Sequence, residues 1–113
     1  MKKLDLNALQ RPTLDLTLRD ENHTEVHMTL PSTKLIERLL AIAPELSAVA
    51  KDADAQSIKA LYSLAADLIS NNTDGLTFTA EELRDTYGVR FEDLFFIFPA
   101  YLEFVREVQS AKN

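Results

Sequence analysis

The chain has 113 residues, 46% of them hydrophobic, a net charge of −6 and no cysteine. That length fits one domain, and that apolar content is too high for a disordered chain. Disulfides, thiolate nucleophiles and cysteine-ligated metal sites are excluded. The basic residues are scattered from Lys2 to Lys112 with no cluster beyond Lys2-Lys3, which argues against a nucleic-acid surface.

Apolar runs stay far short of the roughly 20 residues that span a bilayer, so no membrane partner is expected. The start, Met1-Lys-Lys-Leu-Asp5, begins like a signal peptide, but Asp5, Asn7, Gln10 and Arg11 interrupt any apolar core. A cytoplasmic protein is the expectation. Residues 1–12 read as a mixed arm ending at Pro12, with Leu4, Leu6 and Leu9 as apolar anchors. Thr13-Leu-Asp-Leu-Thr-Leu18 alternates strictly, with Leu14, Leu16 and Leu18 inward and Asp15 and Thr17 outward. Arg19–Asn22 supplies turn residues, and His23–Leu30 alternates again with Val26, Met28 and Leu30 on one side. Residues 13–30 therefore predict a β-hairpin whose leucine face needs a helical cover.

Residues 31–113 predict a helical body. Ser32 or Thr33 can cap a helix carrying Leu35, Ile36, Leu39, Leu40, Ile42 and Ala43, and Pro44 should kink or restart it. Leu46 and Val49 extend its stripe, Lys51–Asp54 reads as a link, and Asp52 or Asp54 can cap the next helix. That helix carries Ile58, Leu61, Tyr62, Leu64, Ala65, Leu68 and Ile69 at amphipathic spacing. It should stop in Asn71–Gly75, where Gly75 or an Asn can turn left-handed. Leu76–Phe78 reads as extended, and Thr79-Ala-Glu-Glu82 is a capping-box pattern opening a short helix that ends at Tyr87-Gly88. The expected architecture is α+β and mainly helical: one domain, 1–113, with the hairpin packed on about four helices.

Ser70–Glu81 resembles a calcium-binding EF-hand loop, with Asn72, Asp74, Gly75 and Glu81 at its third, fifth, sixth and twelfth positions. Ser70 stands where an aspartate belongs, Thr77 stands at the aliphatic eighth position, and there is no sister loop. A helix stop followed by a capping box explains the same residues, so no metal is expected. His23 and His27 fall on the hairpin without a nearby third ligand and read as solvated. With Gly75 and Gly88 as the only glycines there is no phosphate-cradling loop. No cofactor and no enzymatic activity is expected.

The last helix should run from about Phe91 to Ser110, bent at Pro99. Phe91, Leu94, Phe95, Phe98, Tyr101, Leu102, Val105 and Val108 share one broad face, and Leu61, Leu64, Leu68, Phe95, Phe98 and Leu102 are the predicted core. Phe96 falls on the far side, among Glu92, Glu103 and Glu107. Either the arm folds over it through Leu4, Leu6 or Leu9, or Phe96 and Phe104 are aromatic anchors for self-association or a client helix. On the second reading Glu92, Glu103 and Glu107 form the charged ring of the contact.

The sequence also resembles a known family, the small tail assembly chaperones of long-tailed bacteriophages. The likeness is carried by Asp5-Leu-Asn-Ala-Leu9, Arg11-Pro-Thr-Leu14, Leu30-Pro-Ser-Thr-Lys-Leu-Ile-Glu-Arg-Leu39, Asn71–Leu83, Phe91-Glu-Asp-Leu94 and Ala100–Glu107. Pro99 departs from it. The resemblance implies a protein of the host cytoplasm during virion assembly, absent from the mature virion. It implies binding to the tape-measure protein, recruitment of tail-tube protein, and self-association; many such proteins also have a longer frameshifted form. A second class fits the same residues: a small acidic non-enzymatic adaptor binding one folded partner at a fixed ratio.

Overall fold

A computed structural model describes residues 12–46 and 54–110. The elements are β1 (Leu14–Thr17), β2 (Glu25–Met28), α1 (Thr33–Ile42), α2 (Ala55–Ile69), α3 (Ala80–Asp85) and α4 (Phe91–Ser110), with a 3-10 turn over Ala43–Glu45. The fold is α+β and mainly helical, with the antiparallel hairpin preceding the helices. The arm with Leu4, Leu6 and Leu9 lies outside the described residues, as do Val49, Lys51 and Asp52.

The hairpin forms because its alternation places one apolar face on the helices. Leu14 pairs with Met28 and Leu16 with Val26, so the inward residues of both strands share that face. Val26 and Met28 are fully buried, Leu18 nearly so, and Leu14 and Leu16 are half-buried. The turn is held by Asp20, whose carbonyl accepts from His23 N at 3.0 Å and whose carboxylate accepts from Thr24 N at 2.8 Å. His23 closes it with a left-handed φ of 48°. The strands are shorter than their alternation suggests, Leu14–Thr17 and Glu25–Met28, although one more backbone bond, from Leu18 N to Thr24 O, follows at the turn end.

A short third segment lines the far side of β2. Thr29 N donates to Asn71 O at 2.9 Å and Thr73 N to His27 O at 3.0 Å, an isolated antiparallel bridge between Met28 and Asn72. Among the described residues β2 is therefore central and β1 lies at the edge; Val26 and Met28 are sealed, while Leu14 and Leu16 are half-buried. Leu76–Phe78, expected to be extended, forms no regular strand.

Three of the helices begin where a side chain serves their free amides. Ser32 Oγ accepts from Leu35 N, and Asp54 Oδ1 accepts from Ser57 N at 2.7 Å. Thr79 and Glu82 form the reciprocal capping box, both bonds at 3.1 Å. Pro44 ends α1 in the 3-10 turn. By contrast α4 runs unbroken through Pro99. Proline's missing N–H leaves the Phe95 carbonyl without its in-helix donor. Pro99 is exposed, so water can serve that carbonyl without a break in the helix.

The core joins Leu61, Leu64, Leu68 and Ile69 of α2 to Leu94, Phe98, Tyr101 and Val105 of α4, with Leu39 and Leu83 completing it. Of the predicted core, Leu61, Leu64, Leu68 and Phe98 are buried, but Phe95 and Leu102 are only half-buried. Phe104 takes a place in the core instead, 7% exposed and edge-on to Tyr101 with ring centroids 5.9 Å apart. At 100° per residue the buried arc of α4 is thus rotated by about 40° toward Phe104 from the expected face. Two buried hydroxyls tie α4 and α2 to the rest: Tyr101 donates to Thr29 O, and Tyr62 donates to Val89 O at 2.8 Å. Burial pushes the Tyr101 phenol up to about 12.

Candidate interaction surface

The outer face of α4 carries Glu92, Phe96, Pro99, Ala100, Glu103, Arg106 and Glu107, all exposed. Phe96 is 76% exposed, the most open large apolar side chain among the described residues. Its ring has Pro99 and Ala100 beside it on the helix, with Glu92 one turn before and Glu103 and Glu107 beyond. Phe104, the other candidate anchor, does not join this face. It is buried beside Tyr101, and the pairing of the two phenylalanines as surface anchors is corrected accordingly.

Phe96 also stands at the rim of a cleft of about 340 Å³ between β1 and α4. Leu16, Leu18, Val89 and Ile97 make its walls. Its charged lining is a pair that fixes the start of α4. Asp93 accepts from Arg90 N at 2.8 Å and from Arg19 Nη2 at 2.9 Å, with Arg19 Nη1 on its second oxygen. The hydrogen bond from Arg19 holds the Asp93 carboxyl below its usual range, and the same bond raises the Arg19 guanidinium. Arg19 N donates to Tyr87 O at 3.1 Å, and Gly88 sits against it with φ +68°. A Cβ on Gly88 would come within 3.1 Å of Arg19 Cβ, so glycine is needed for both its angle and its size. Sequence reasoning missed this corner. Arg19 reads as a turn residue, and its carboxylate partner is 74 positions away.

The loop that resembles a calcium site is committed to its own architecture. Asn72 Oδ1 accepts from Asp74 N at 2.9 Å and Leu76 N at 3.1 Å, while its Nδ2 donates to Ile69 O at 2.8 Å and Leu76 O at 2.9 Å. Asp74 turns to the hairpin, accepting from His27 N at 2.8 Å and lying 3.0 Å from His27 Nδ1. Asn71 Nδ2 donates to Thr29 O at 3.2 Å and Leu30 O at 2.8 Å, and Ser70 Oγ accepts from Phe78 N at 2.9 Å. Gly75 provides the left-handed turn at φ 71°. The loop is a clasp binding β2 to the end of α2.

His27, read from sequence as solvated, is half-buried and paired. The bond to Asp74 raises its pKa, and the backbone bond from His27 lowers that of Asp74. His23 is exposed in the turn. Among the described residues no three histidine or acidic side chains gather as a metal site, and no helix is long and apolar enough to cross a membrane. No family model matches the chain, and no curated protein or solved structure compared with it matches either.

Proposed function

We propose that this chain is a tail assembly chaperone of a long-tailed bacteriophage, one that holds the tape-measure protein while tail-tube subunits gather on it. The sequence resemblance supports this reading over most of the chain. The observation that carries it is Phe96, 76% exposed on a face otherwise edged by Glu92, Glu103 and Glu107. An apolar patch ringed by carboxylates suits an amphipathic client helix with an apolar seam and flanking lysines or arginines. The protein would act in the host cytoplasm and leave before the particle is complete.

The test is co-expression with a tape-measure fragment, comparing the native chain with Phe96→Ser and with Glu103→Lys. Both positions are exposed, so thermal melting of the variants should match that of the native chain. Client capture should fall in each. Retention of the fragment by Phe96→Ser at native strength would overturn the surface. Binding at a fixed one-to-one ratio to a folded partner, with no affinity for the fragment, would make the protein an adaptor instead.

A further inference from the structure

The two sides of the hairpin are finished differently. On β2, the outward groups of His27 and Thr29 are taken up by Asn71, Thr73 and Asp74. On β1, the bond from Leu18 N to Thr24 O at 2.9 Å fixes the parity of the ladder. Leu14, Leu16 and Leu18 direct their backbone groups to β2, so those of Asp15 and Thr17 point away from it. Among the described residues nothing pairs with them until Arg19, whose N–H goes to Tyr87 O. Thr13–Leu18 contains no lysine or proline, and the one outward charge on this short strand is Asp15.

We propose that β1 is a dimerisation edge, two copies of this chain pairing β1 to β1 antiparallel about Leu16. Asp15 of each copy then faces Thr17 of the other, and both pairs exchange their outward N–H and C=O groups. Other registers are worse. A shift of one residue sets outward groups against inward ones. Centring on Asp15 puts two carboxylates face to face, and centring on Thr17 needs the Arg19 amide that Tyr87 already holds. About Leu16 the two Leu16 side chains meet across the axis, and Leu14 of one copy lies beside Leu18 of the other, over the 340 Å³ cleft. Leu14 and Leu16, half-buried in one copy, become covered. The result is a continuous sheet ordered β2–β1–β1–β2 with an isologous interface. It does not depend on which client the outer face of α4 holds.

Sedimentation of the full chain from about 1 to about 500 μM should show a reversible dimer, with dissociation constants in that span expected of a small interface. Register makes opposite charges at Thr17 act oppositely, because each faces Asp15. Thr17→Lys should tighten the dimer by about threefold to tenfold, the cross-strand pair being counted twice by symmetry. Thr17→Asp should weaken it by a similar factor. Thr17→Pro removes only an outward donor, and edge strands accept proline, so dimerisation should be lost while the monomer still folds. Hydrogen exchange of the Asp15 and Thr17 amides should slow as concentration rises. A chain monomeric to about 500 μM, where even a weak interface would register, overturns the proposal. So do equal effects of Thr17→Lys and Thr17→Asp, which place the contact elsewhere. Amides at 15 and 17 already protected at high dilution overturn it as well, because the edge is then covered within one chain.

Discussion

Asn72 is the residue whose loss should tell most about the clasp. Its amide makes four hydrogen bonds to backbone groups at both ends of the loop. Net values of about 0.5–1.5 kcal/mol each sum to about 2–6 kcal/mol. The side chain is only half-buried, so water can replace part of this, and Asn72→Ala should cost about 2–4 kcal/mol. For a domain of this size that is a fall in melting temperature of roughly 8–16 °C. Asn72→Asp sharpens the test. It keeps the acceptor for Asp74 N and Leu76 N but turns a carboxylate oxygen toward the Ile69 and Leu76 carbonyls. As a clasp, the loop should then be destabilised by about 1–3 kcal/mol, and about 5 mM calcium should not restore it. As a calcium loop, the same change adds a carboxylate at its third position and should improve binding. The assay is calorimetric melting of both variants with and without calcium. An Asn72→Asp protein as stable as the native chain, or one that calcium stabilises in a manner abolished by Glu81→Ala, refutes the reasoning.

In the core, Leu64→Ala or Phe98→Ala should cost about 2–5 kcal/mol in urea unfolding, and a loss under about 1 kcal/mol at both would place them outside it. The pH dependence follows from His27 and Asp74. The raised His27 pKa contributes stability that is complete below its unfolded value, near 6.5, and is lost as pH rises through the folded value. The lowered Asp74 pKa contributes above its unfolded value and is lost as pH falls through the folded one. Melting temperature should therefore decline across neutral pH, and Asp74→Asn should remove that part of the slope and bring the His27 proton titration down; an unshifted titration contradicts the pairing. His23→Gly relieves a left-handed non-glycine residue and should stabilise by about 0.5–1 kcal/mol in thermal melts, whereas a loss would mean its ring makes a contact worth keeping.

What is legible in the sequence is local. The alternation at Leu14–Leu18 and Val26–Leu30 carries the inward faces because period two has only two phases. The caps at Ser32, Asp54 and Thr79 are legible because donor and acceptor lie within one helical turn. The broad face of α4 is legible too, but its centre lies about 40° from where the spacing puts it, which exchanges Phe95 and Leu102 for Phe104. A helix bearing aromatics over most of its circumference does not reveal which arc its neighbours cover. The clasp is less legible. Asn71, Asn72 and Asp74 read as helix-stop residues, and although the side-chain bonds of Asn72 are local, the partners of Asn71 and Asp74, on and just after β2, are more than forty positions earlier. The same holds for Arg19 and Asp93. Phe96 stands out because its phase conflicts with its chemistry, a contradiction visible without any partner.

The clasp and the open edge are two consequences of one arrangement. A two-stranded hairpin is marginal alone, and β2 gains its support from the segment at Asn71–Asp74 on one side and β1 on the other. Among the described residues, that makes β2 the centre and leaves the outward backbone groups of Asp15 and Thr17 without a partner. A chain carrying −6 resists meeting its own copies over most of its surface. Along β1 the outward side chains are only Asp15 and Thr17, and the antiparallel register sets the one against the other. The edge is thus where, on this proposal, outward backbone groups of two copies find partners. Arg19 limits it: with its amide on Tyr87 and its guanidinium on Asp93, it ends the free edge and anchors α4 in the same step. Phe96 then lies beside, not within, the paired strands. On the two proposals together, a client helix on α4 and a second copy on β1 would occupy different elements of the fold.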